Sequence, residues 1–293
     1  MYPLYAQMGD TVIDEDLSIR ESDGHVTGVL NLFGVRPGEA FRYEGKAMPH
    51  VIHFDIQFES TYEAIERVVL PSPLKADRSH PPIVNVSYFT NAEVYAMDGR
   101  STPYQAFLLT ARTEWDGLQG VSGWEFVDGL RGDKTEMDIM GPWGVHFGML
   151  KKLGDIRVSH TAADEFTVEV TRRGRVLVRM GIRTGVAFTE TELEAFNKAS
   201  AAVFGVREIP NVDYTGYSER TIVVSDAVTE GRVERAWRAE PTHLEFDSGV
   251  LDPLAELPVH KLVGAVVYDS NSKREHFGQR RVVADLLAAE KAE

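Results

Sequence analysis

The segment from Gly144 to Val158, GVHFGMLKKLGDIRV, places two adjacent lysines, Lys151 and Lys152, among apolar residues. A lysine amine is nucleophilic only when neutral, and with an unperturbed pKa near 10.4 roughly one amine in two thousand is neutral at pH 7. Burial among apolar groups and a nearby second ammonium both lower a lysine pKa. The segment therefore indicates either a reactive lysine or a solvated Lys-Lys turn before a strand.

Adjacency in the sequence does not bring the two amines together. Neighbours on a strand point to opposite faces, and neighbours on a helix diverge by about 100°. Two unit charges about 5 Å apart, at an effective dielectric of about 20, repel by about 3 kcal/mol, a little over two pKa units. We therefore expect desolvation of one lysine to contribute at least as much as repulsion from the other.

Strand-like alternation dominates the chain on both sides of this segment. Strands are predicted at 50–58, 83–90, 106–114, 120–127, 155–160, 165–171, 176–183, 221–228 and 261–268. Helices are predicted at 60–69, capped by Ser60 or Thr61, at 189–204 and at about 280–289. Because strands outnumber helices without regular βαβ alternation, the predicted class is mainly antiparallel β with a few packing helices, an α+β arrangement.

The domain organisation follows from composition. Residues 1–48 are rich in Gly, Asp and Glu and predict an extended N-terminal arm. Residues 49–293 show neither an internal repeat nor a linker, so they are predicted to form a single domain.

The overall charge narrows the classes of partner. The 293 residues carry 31 Lys and Arg against 45 Asp and Glu, a net charge of −14, which disfavours nucleic acid and anionic lipid as partners. There is no cysteine, so thiolate metal sites and cysteine nucleophiles are excluded. The sequence shows neither a secretory signal nor a membrane-spanning apolar run, so a cytoplasmic location is expected.

The lysine segment is one of several stretches that resemble a known family. Lys-Lys-Leu-Gly at 151–154 resembles the lysine motif of acetoacetate decarboxylases. Further stretches resemble the same family in the same order, over about residues 48–287. They are AIERVVLPSPL at 64–74, Ile209-Pro210-Asn211 with Asp213, Ala236-Trp237, Pro241, Leu244, Asp252-Pro253-Leu254 and Leu257-Pro258-Val259.

This resemblance implies a fold and a chemistry. The fold is a cone-like antiparallel β-barrel with flanking strands and a few helices, usually assembled into homo-oligomers. The first lysine, Lys151, takes the role of Schiff-base nucleophile, and Lys152 that of the neighbour which helps to lower its pKa. The family is an established case of a lysine nucleophile activated by desolvation or by a neighbouring cation. No cofactor is implied.

Two acidic positions of the family are not retained. Val86-Ser87-Tyr88 aligns with the family's Phe-Glu-Ile, so Ser87 stands where a glutamate is expected. Tyr104-Gln105-Ala106 aligns with Tyr-x-Glu, so Ala106 stands at the second glutamate. Related proteins on this scaffold use pyruvate-like substrates with a glutamine near the lysine, and Gln105 is the candidate for that part. Its alternative role is that of a hydrogen-bonded residue at a strand start.

Other residues are candidates for proton transfer or substrate contact. His146, five residues before Lys151, is a possible proton shuttle, and Glu125 a possible acid or base. Candidates for substrate contact are Tyr104, Ser87, Trp124 and Met149. Each of these has simple packing as its alternative. His50 and His53 are expected on opposite faces of one strand, so no metal is predicted.

Three functional hypotheses follow. The first is a cofactor-independent lyase that decarboxylates a β-keto acid, or a related keto acid, through an imine on Lys151. The second keeps the imine but predicts aldol condensation or dehydration of a pyruvate-like α-keto acid. The third is a non-catalytic protein in which the Lys151 ammonium binds a ligand carboxylate.

Overall fold

The computed structural model describes residues 18–20, 26–29, 48–91, 103–130, 144–145, 148–198, 201–213, 215–225, 232–272 and 280–290. The chain divides into two units, Met1–Glu44 and Gly45–Glu293. In the first unit, strand β1 (Ser18–Arg20) pairs antiparallel with β2 (Val26–Val29). The predicted division into an arm, 1–48, and a single domain, 49–293, stays a prediction.

The second unit is built mainly from strands. In chain order they are β3 (Met48–Glu59), β4 (Lys75–Ala76), β5 (Ile83–Asn91), β6 (Tyr104–Trp115), β7 (Leu118–Gly129), β8 (Leu150–Leu153), β9 (Asp155–Ala162), β10 (Glu165–Arg172), β11 (Arg175–Ala187), β12 (Ala202–Pro210), β13 (Tyr217–Ser225), β14 (Arg232–Phe246), β15 (Ser248–Gly249), β16 (Asp252–Pro253), β17 (Lys261–Ser272) and β18 (Arg281–Asp285). The helical segments are α1 (Tyr62–Ala64), a π-helical turn (Ile65–Val69), α2 (Glu190–Lys198), a 3-10 turn (Leu254–Glu256) and α3 (Leu286–Glu290). Within the parts of the chain described above, no helix has both the length and the apolar character needed to span a membrane.

Fourteen of these strands form one sheet in the order β18-β13-β12-β7-β6-β5-β3-β17-β14-β11-β10-β9, with β4 on β6 and β8 on β7. Among the described residues its pairs are antiparallel except for β7 with β8 and β7 with β12. One edge of β7 pairs with β6. The other edge is shared by two strands, because β12 pairs with its first half and β8 with its second half. The predicted mainly β class is confirmed.

Alternation along β3, β5, β6 and β7 separates two faces of the sheet. One face carries the large apolar side chains of the main core: Phe54, Ile56, Phe58, Val84, Val86, Phe107, Leu109, Trp124 and Phe126. Register partners in adjacent strands share a face, so the residues between these carry their side chains to the opposite side. Polar residues of the second face are also buried, Ser87 and Glu125 among them.

Two predicted helices are shorter than expected. Thr189 caps α2 in a reciprocal arrangement, its N–H donating to Glu192 Oε2 at 2.8 Å and its Oγ1 accepting from the Glu192 N–H at 3.4 Å. The helix ends at Lys198, and the following residues enter β12, where Phe204 is buried. The C-terminal prediction was wrong in the same way, since β18 pairs with β13 before the short α3. Sheet pairing outweighs helix propensity at both places.

Candidate active site

Lys151 reaches the sheet through a close crossing of β12. Gly148 has φ of +64°, and a Cβ there would lie 2.8 Å from the carbonyl carbon of Val206. The Val206 N–H donates to the Gly148 carbonyl at 3.1 Å. Glycine is required here because other residues disfavour this backbone conformation and would collide with β12. Beyond this crossing, the chain enters β8 and lies parallel to the second half of β7.

Lys151 and Glu125 form a buried ion pair at this junction. The two residues are register partners in the β7–β8 pair, so their side chains share the second face of the sheet. Each side chain is 2% exposed, and the Lys151 ammonium contacts Glu125 Oε1. A buried charge needs a partner or a proton transfer that removes it. The arrangement places a candidate nucleophile in contact with a candidate base.

The ion pair lies at one end of a row of register partners. The row crosses β3, β5, β6, β7 and β8 through Asp55, Ser87, Leu108, Glu125 and Lys151. At the other end, Ser87 Oγ donates to Asp55 Oδ1 at 2.5 Å. The row thus has an amine end and a carboxyl end on one face, separated by an apolar side chain. Since neighbouring strands are about 4.8 Å apart, Ser87 lies about 10 Å from Glu125 along the sheet.

Asp55 is a carboxyl group that sequence reasoning did not select. Burial raises its pKa to about 6, although hydrogen bonds from Ser87, Asn85 and Tyr268 act in the opposite direction. Its partner donors include Asn85 Nδ2 at 3.3 Å and the Tyr268 hydroxyl at 3.5 Å. A carboxyl with this pKa is partly protonated near neutral pH, so it can donate as well as accept a proton. Ser87 is therefore hydrogen-bonded to an acid on the neighbouring strand.

The aromatic neighbours of Asp55 belong to the same face. The ring of His53 stacks on Tyr268 with centroids 4.2 Å apart, and its Nε2 lies 3.1 Å from Ser270 Oγ. Burial lowers the pKa of His53 to about 3, so this imidazole is neutral at physiological pH. Tyr104 is buried and packs edge-on against Phe89, 5.4 Å between centroids. The carboxyl end of the row is thus bordered by aromatic rings.

Lys152 lies on the face opposite to Lys151. Its Nζ donates to Asp252 Oδ1 at 2.8 Å and to the Leu251 carbonyl at 3.0 Å. It also lies 4.7 Å above the centre of the Trp124 ring. Burial of Asp252 by itself would raise its pKa, but hydrogen bonds from Lys152 and Arg172 outweigh burial and lower it. Lys152 therefore belongs to a charged cluster that fixes the Asp252-Pro253 segment against the sheet.

Gln105 also lies away from Lys151. On β6 its neighbours Tyr104 and Ala106 belong to the second face, so Gln105 points toward the core side. Its Nε2 donates to Asp128 Oδ2 at 3.2 Å and to the Ile156 carbonyl at 3.0 Å, and its Oε1 accepts from the Tyr88 hydroxyl at 3.1 Å. These bonds tie β6 to the start of β9.

The remaining candidates are dispersed. Trp124 lies on the core face, and its Nε1 donates to the Val68 carbonyl at 2.8 Å. Met149 is half-buried and directly precedes β8. His146 lies outside the described residues. Of the predicted set, the structure brings together Lys151 and Glu125, with Ser87 in the same row.

The comparisons with known proteins agree with this architecture. A family model described as acetoacetate decarboxylase (ADC) matches residues 44–286. A search of curated proteins finds no match. Three similar solved structures show the same fold at low sequence identity.

The acetoacetate decarboxylase of Legionella pneumophila subsp. pneumophila strain Philadelphia 1 is 18% identical, with a TM-score of 0.68 over 88% of this chain and 96% of that chain. A second acetoacetate decarboxylase is 17% identical, with a TM-score of 0.67 over 85% and 93%. The enduracididine biosynthesis enzyme MppR, complexed with the condensation product of pyruvate and imidazole 4-carboxaldehyde, is 16% identical, with a TM-score of 0.63 over 85% and 92%. Because the family model covers most of the sequence, the chain belongs to the acetoacetate decarboxylase family.

Proposed function

We propose that this chain is a cofactor-independent lyase that binds a keto acid as an imine on Lys151 and decarboxylates a β-keto acid or a related keto acid. The observation that carries the proposal is the buried contact between Lys151 and Glu125. Desolvation of a lysine amine and an adjacent base that takes up its proton are both recognised ways to activate a nucleophile. Family membership supports the same chemistry.

Glu125 makes the amine available. Transfer of a proton from the Lys151 ammonium to the Glu125 carboxylate removes both charges, which a buried site favours. The neutral amine attacks the ketone carbon, and Glu125 returns the proton to the departing oxygen. Ketone and ammonium thereby become an iminium and one water molecule, so atoms and charge balance. Lys152, bound to Asp252 on the other face, has a structural role.

The iminium then acts as the electron sink. The bond between the α-carbon and the carboxylate breaks, CO2 leaves, and the electron pair moves to nitrogen to give an enamine. A proton delivered to the α-carbon restores the iminium, and water releases the product and frees Lys151. Glu125, which gave its first proton to the departing water molecule, takes up a proton from solvent and is the acid placed to deliver it, since it contacts the lysine nitrogen. A positioned acid or base of this kind contributes roughly 10²–10⁴-fold to the rate.

The carboxyl end of the row suggests how the rest of the substrate is held. Asp55 and Ser87 lie on the same face as Lys151, beyond the apolar Leu108. Ser87 and Lys151 are three strand spacings apart, about 14 Å along the sheet, and a keto acid with an apolar middle and a hydrogen-bonding far end bridges that separation. The group formed by Asp55 and Ser87 then supplies a donor and an acceptor to that end.

A second candidate is aldol condensation or dehydration of a pyruvate-like acid through the same imine. Two observations favour it: the absence of acids at Ser87 and Ala106, and the likeness to MppR in complex with a pyruvate-derived product. The same Glu125 that protonates an enamine can remove an α-proton from the imine. The hydrogen bonds of Gln105 are directed elsewhere, so this candidate does not use it. Binding of a ligand carboxylate without catalysis is the third candidate.

Measurement of CO2 release across a panel of β-keto and α-keto acids tests the proposal. We expect release from at least one β-keto acid, and loss of release in Glu125→Gln and Lys151→Met. Consumption of pyruvate with an aldehyde, without CO2, would favour the aldol candidate. Absence of both reactions, with ligand binding retained, would favour the binding protein. Homo-oligomeric assembly and a cytoplasmic location also remain predictions.

A further inference from the structure

A cluster of potential metal ligands lies on three neighbouring strands, apart from the row of Lys151. His50 on β3, Glu234 on β14 and Asp269 on β17 each offer one ligand atom, and these atoms lie within 4.8 Å of one another. β17 is the central strand of the three, paired with β3 on one side and with β14 on the other. Residues distant in sequence therefore converge on one point of the sheet.

The buried member of the cluster has an unused oxygen. Asp269 is 1% exposed, and its Oδ2 accepts from Arg235 Nη2 at 2.6 Å. Its Oδ1 is buried and has no hydrogen-bond partner among the described residues. A buried carboxylate oxygen without a partner loses its hydration free energy without compensation. A bound cation would satisfy that oxygen while Arg235 keeps the other.

The backbone is irregular in both strands that flank Asp269, at His50 on β3 and at Glu234 on β14. His50 has φ of +53°, and its N–H donates to Asn271 Oδ1 at 2.7 Å, which holds this conformation. On β14 the register shifts between Val233 and Arg235, so Glu234 occupies the irregular position. Irregular strand positions re-aim side chains, and both of these exposed side chains approach Asp269.

We propose that His50, Glu234 and Asp269 form a site for a divalent metal ion of the Zn²⁺ type, which fastens β3, β17 and β14 together. One imidazole nitrogen and two carboxylate oxygens suit Zn²⁺, with water completing a tetrahedral set. Ligand atoms about 2.0–2.1 Å from zinc lie about 3.4 Å apart, so the exposed His50 and Glu234 side chains close inward by about 1 Å. Arg235, bound to the other oxygen of Asp269, orients that ligand.

The site is independent of the imine chemistry. Its ligands stand on the strands that carry Tyr268 and His53, which border Asp55. A metal ion at this place therefore braces the carboxyl end of the row without touching the reacting groups. The net charge of −14 also favours the binding of a cation.

Calorimetric titration of the chelator-treated, full-length chain with ZnCl2 tests the site. Glu234→Gln and His50→Asn remove exposed ligands and leave the buried Asp269 in place. The matched controls are Glu245→Gln, an exposed glutamate on the same strand, and His260→Asn, an exposed histidine elsewhere. We expect one Zn²⁺ per chain, binding weakened at least about 10-fold in each ligand variant, and unchanged binding in the controls.

Absorption spectroscopy with Co²⁺ gives a second measurement of metal binding that does not depend on small changes in the stability of the variants. Co²⁺ bound by one nitrogen and oxygen ligands in a four-coordinate site gives visible absorption bands, and we expect the ligand variants to lose them. Absence of saturable binding near one Zn²⁺ per chain, or equal affinity in ligand and control variants, would overturn the proposal.

Discussion

Lys151 and Glu125 are register partners on two parallel strands, and their side chains meet as an ion pair of which each is 2% exposed. The pair exists because β8 occupies only the second half of the β7 edge, while β12 occupies the first. Parallel pairing brings the lysine to the glutamate without a hairpin between them. The position of the proposed reaction is therefore set by how two segments share one strand edge.

Removal of one partner of this pair should destabilise the protein strongly. Lys151→Met leaves the Glu125 carboxylate buried without its cation, and we expect the free energy of unfolding to fall by about 3–5 kcal/mol. The double variant Lys151→Met/Glu125→Leu removes both charges and should recover most of that loss. Urea unfolding followed by circular dichroism measures both. A double variant less stable than Lys151→Met would contradict the buried ion pair.

Lys152 provides the matched comparison, because it is the next residue and points to the other face. Lys152→Met leaves Asp252 with Arg172 alone, so we expect a loss of about 1–3 kcal/mol of stability. Imine formation at neutral pH should be unchanged, and stopped-flow reduction with a ketone measures it. If imine formation at pH 7 instead fell tenfold and recovered at alkaline pH, the charge of Lys152 would be what activates Lys151.

Asp55 should give the stability a distinct pH dependence. Its folded pKa of about 6 exceeds the unfolded value, so the folded protein binds more protons between about pH 4 and 6. The free energy of unfolding therefore falls as pH rises through that window. The full shift corresponds to about 3 kcal/mol, and partial exposure of Asp55 reduces the expected effect to about 2 kcal/mol.

The variant Asp55→Asn isolates this contribution. Relative to the variant, the unmodified chain should lose about 2 kcal/mol of stability between about pH 4.5 and pH 7, measured by urea unfolding at both values. Other groups that titrate in this range contribute equally to the stability of the unmodified chain and of Asp55→Asn, so their contributions cancel in the difference. A stability difference that stays constant with pH would show that the pKa of Asp55 is not raised.

Substitution of Gln105 tests whether the reaction takes place on the face of the sheet that carries Lys151. Gln105→Met removes donors to Asp128 and to the Ile156 carbonyl, so we expect a stability loss of about 1–3 kcal/mol. Turnover of any keto acid that the chain processes should stay within about threefold, since the side chain lies away from Lys151. A large loss of kcat with little change in stability would instead make Gln105 a catalytic residue.

Much of the fold could be predicted from alternation, because most strands have one apolar and one polar face. β14 was not predicted, since charged residues and Pro241 interrupt the alternation of Arg232–Phe246. The start of β12 was assigned to a helix, because its side chains fit a helical pattern until pairing with β13 is known. Local alternation of apolar and polar residues identifies most strands. For segments such as β14 and the start of β12, pairing with strands that are distant in sequence determines the structure.

The members of the candidate site were predicted only in part, and its geometry was not predicted. Lys151 and Glu125 were selected separately, and nothing local in the sequence reveals a parallel register between β7 and β8. Alternation alone could have separated Gln105 from the face of Ala106. It could also have identified Asp55, which falls with His53 on the polar side of an otherwise apolar strand. The raised pKa of Asp55 depends on burial, which only the folded structure supplies.

The proposed function requires that Lys151 forms an imine with a keto acid. The most direct test is reduction with borohydride in the presence of acetoacetate or pyruvate, followed by peptide mass mapping of the full-length chain. We predict a single reduced adduct on Lys151, formed equally in Lys152→Met and absent from Lys151→Met. No adduct with either acid or with a broader panel of ketones, or an adduct on another lysine, would contradict the account.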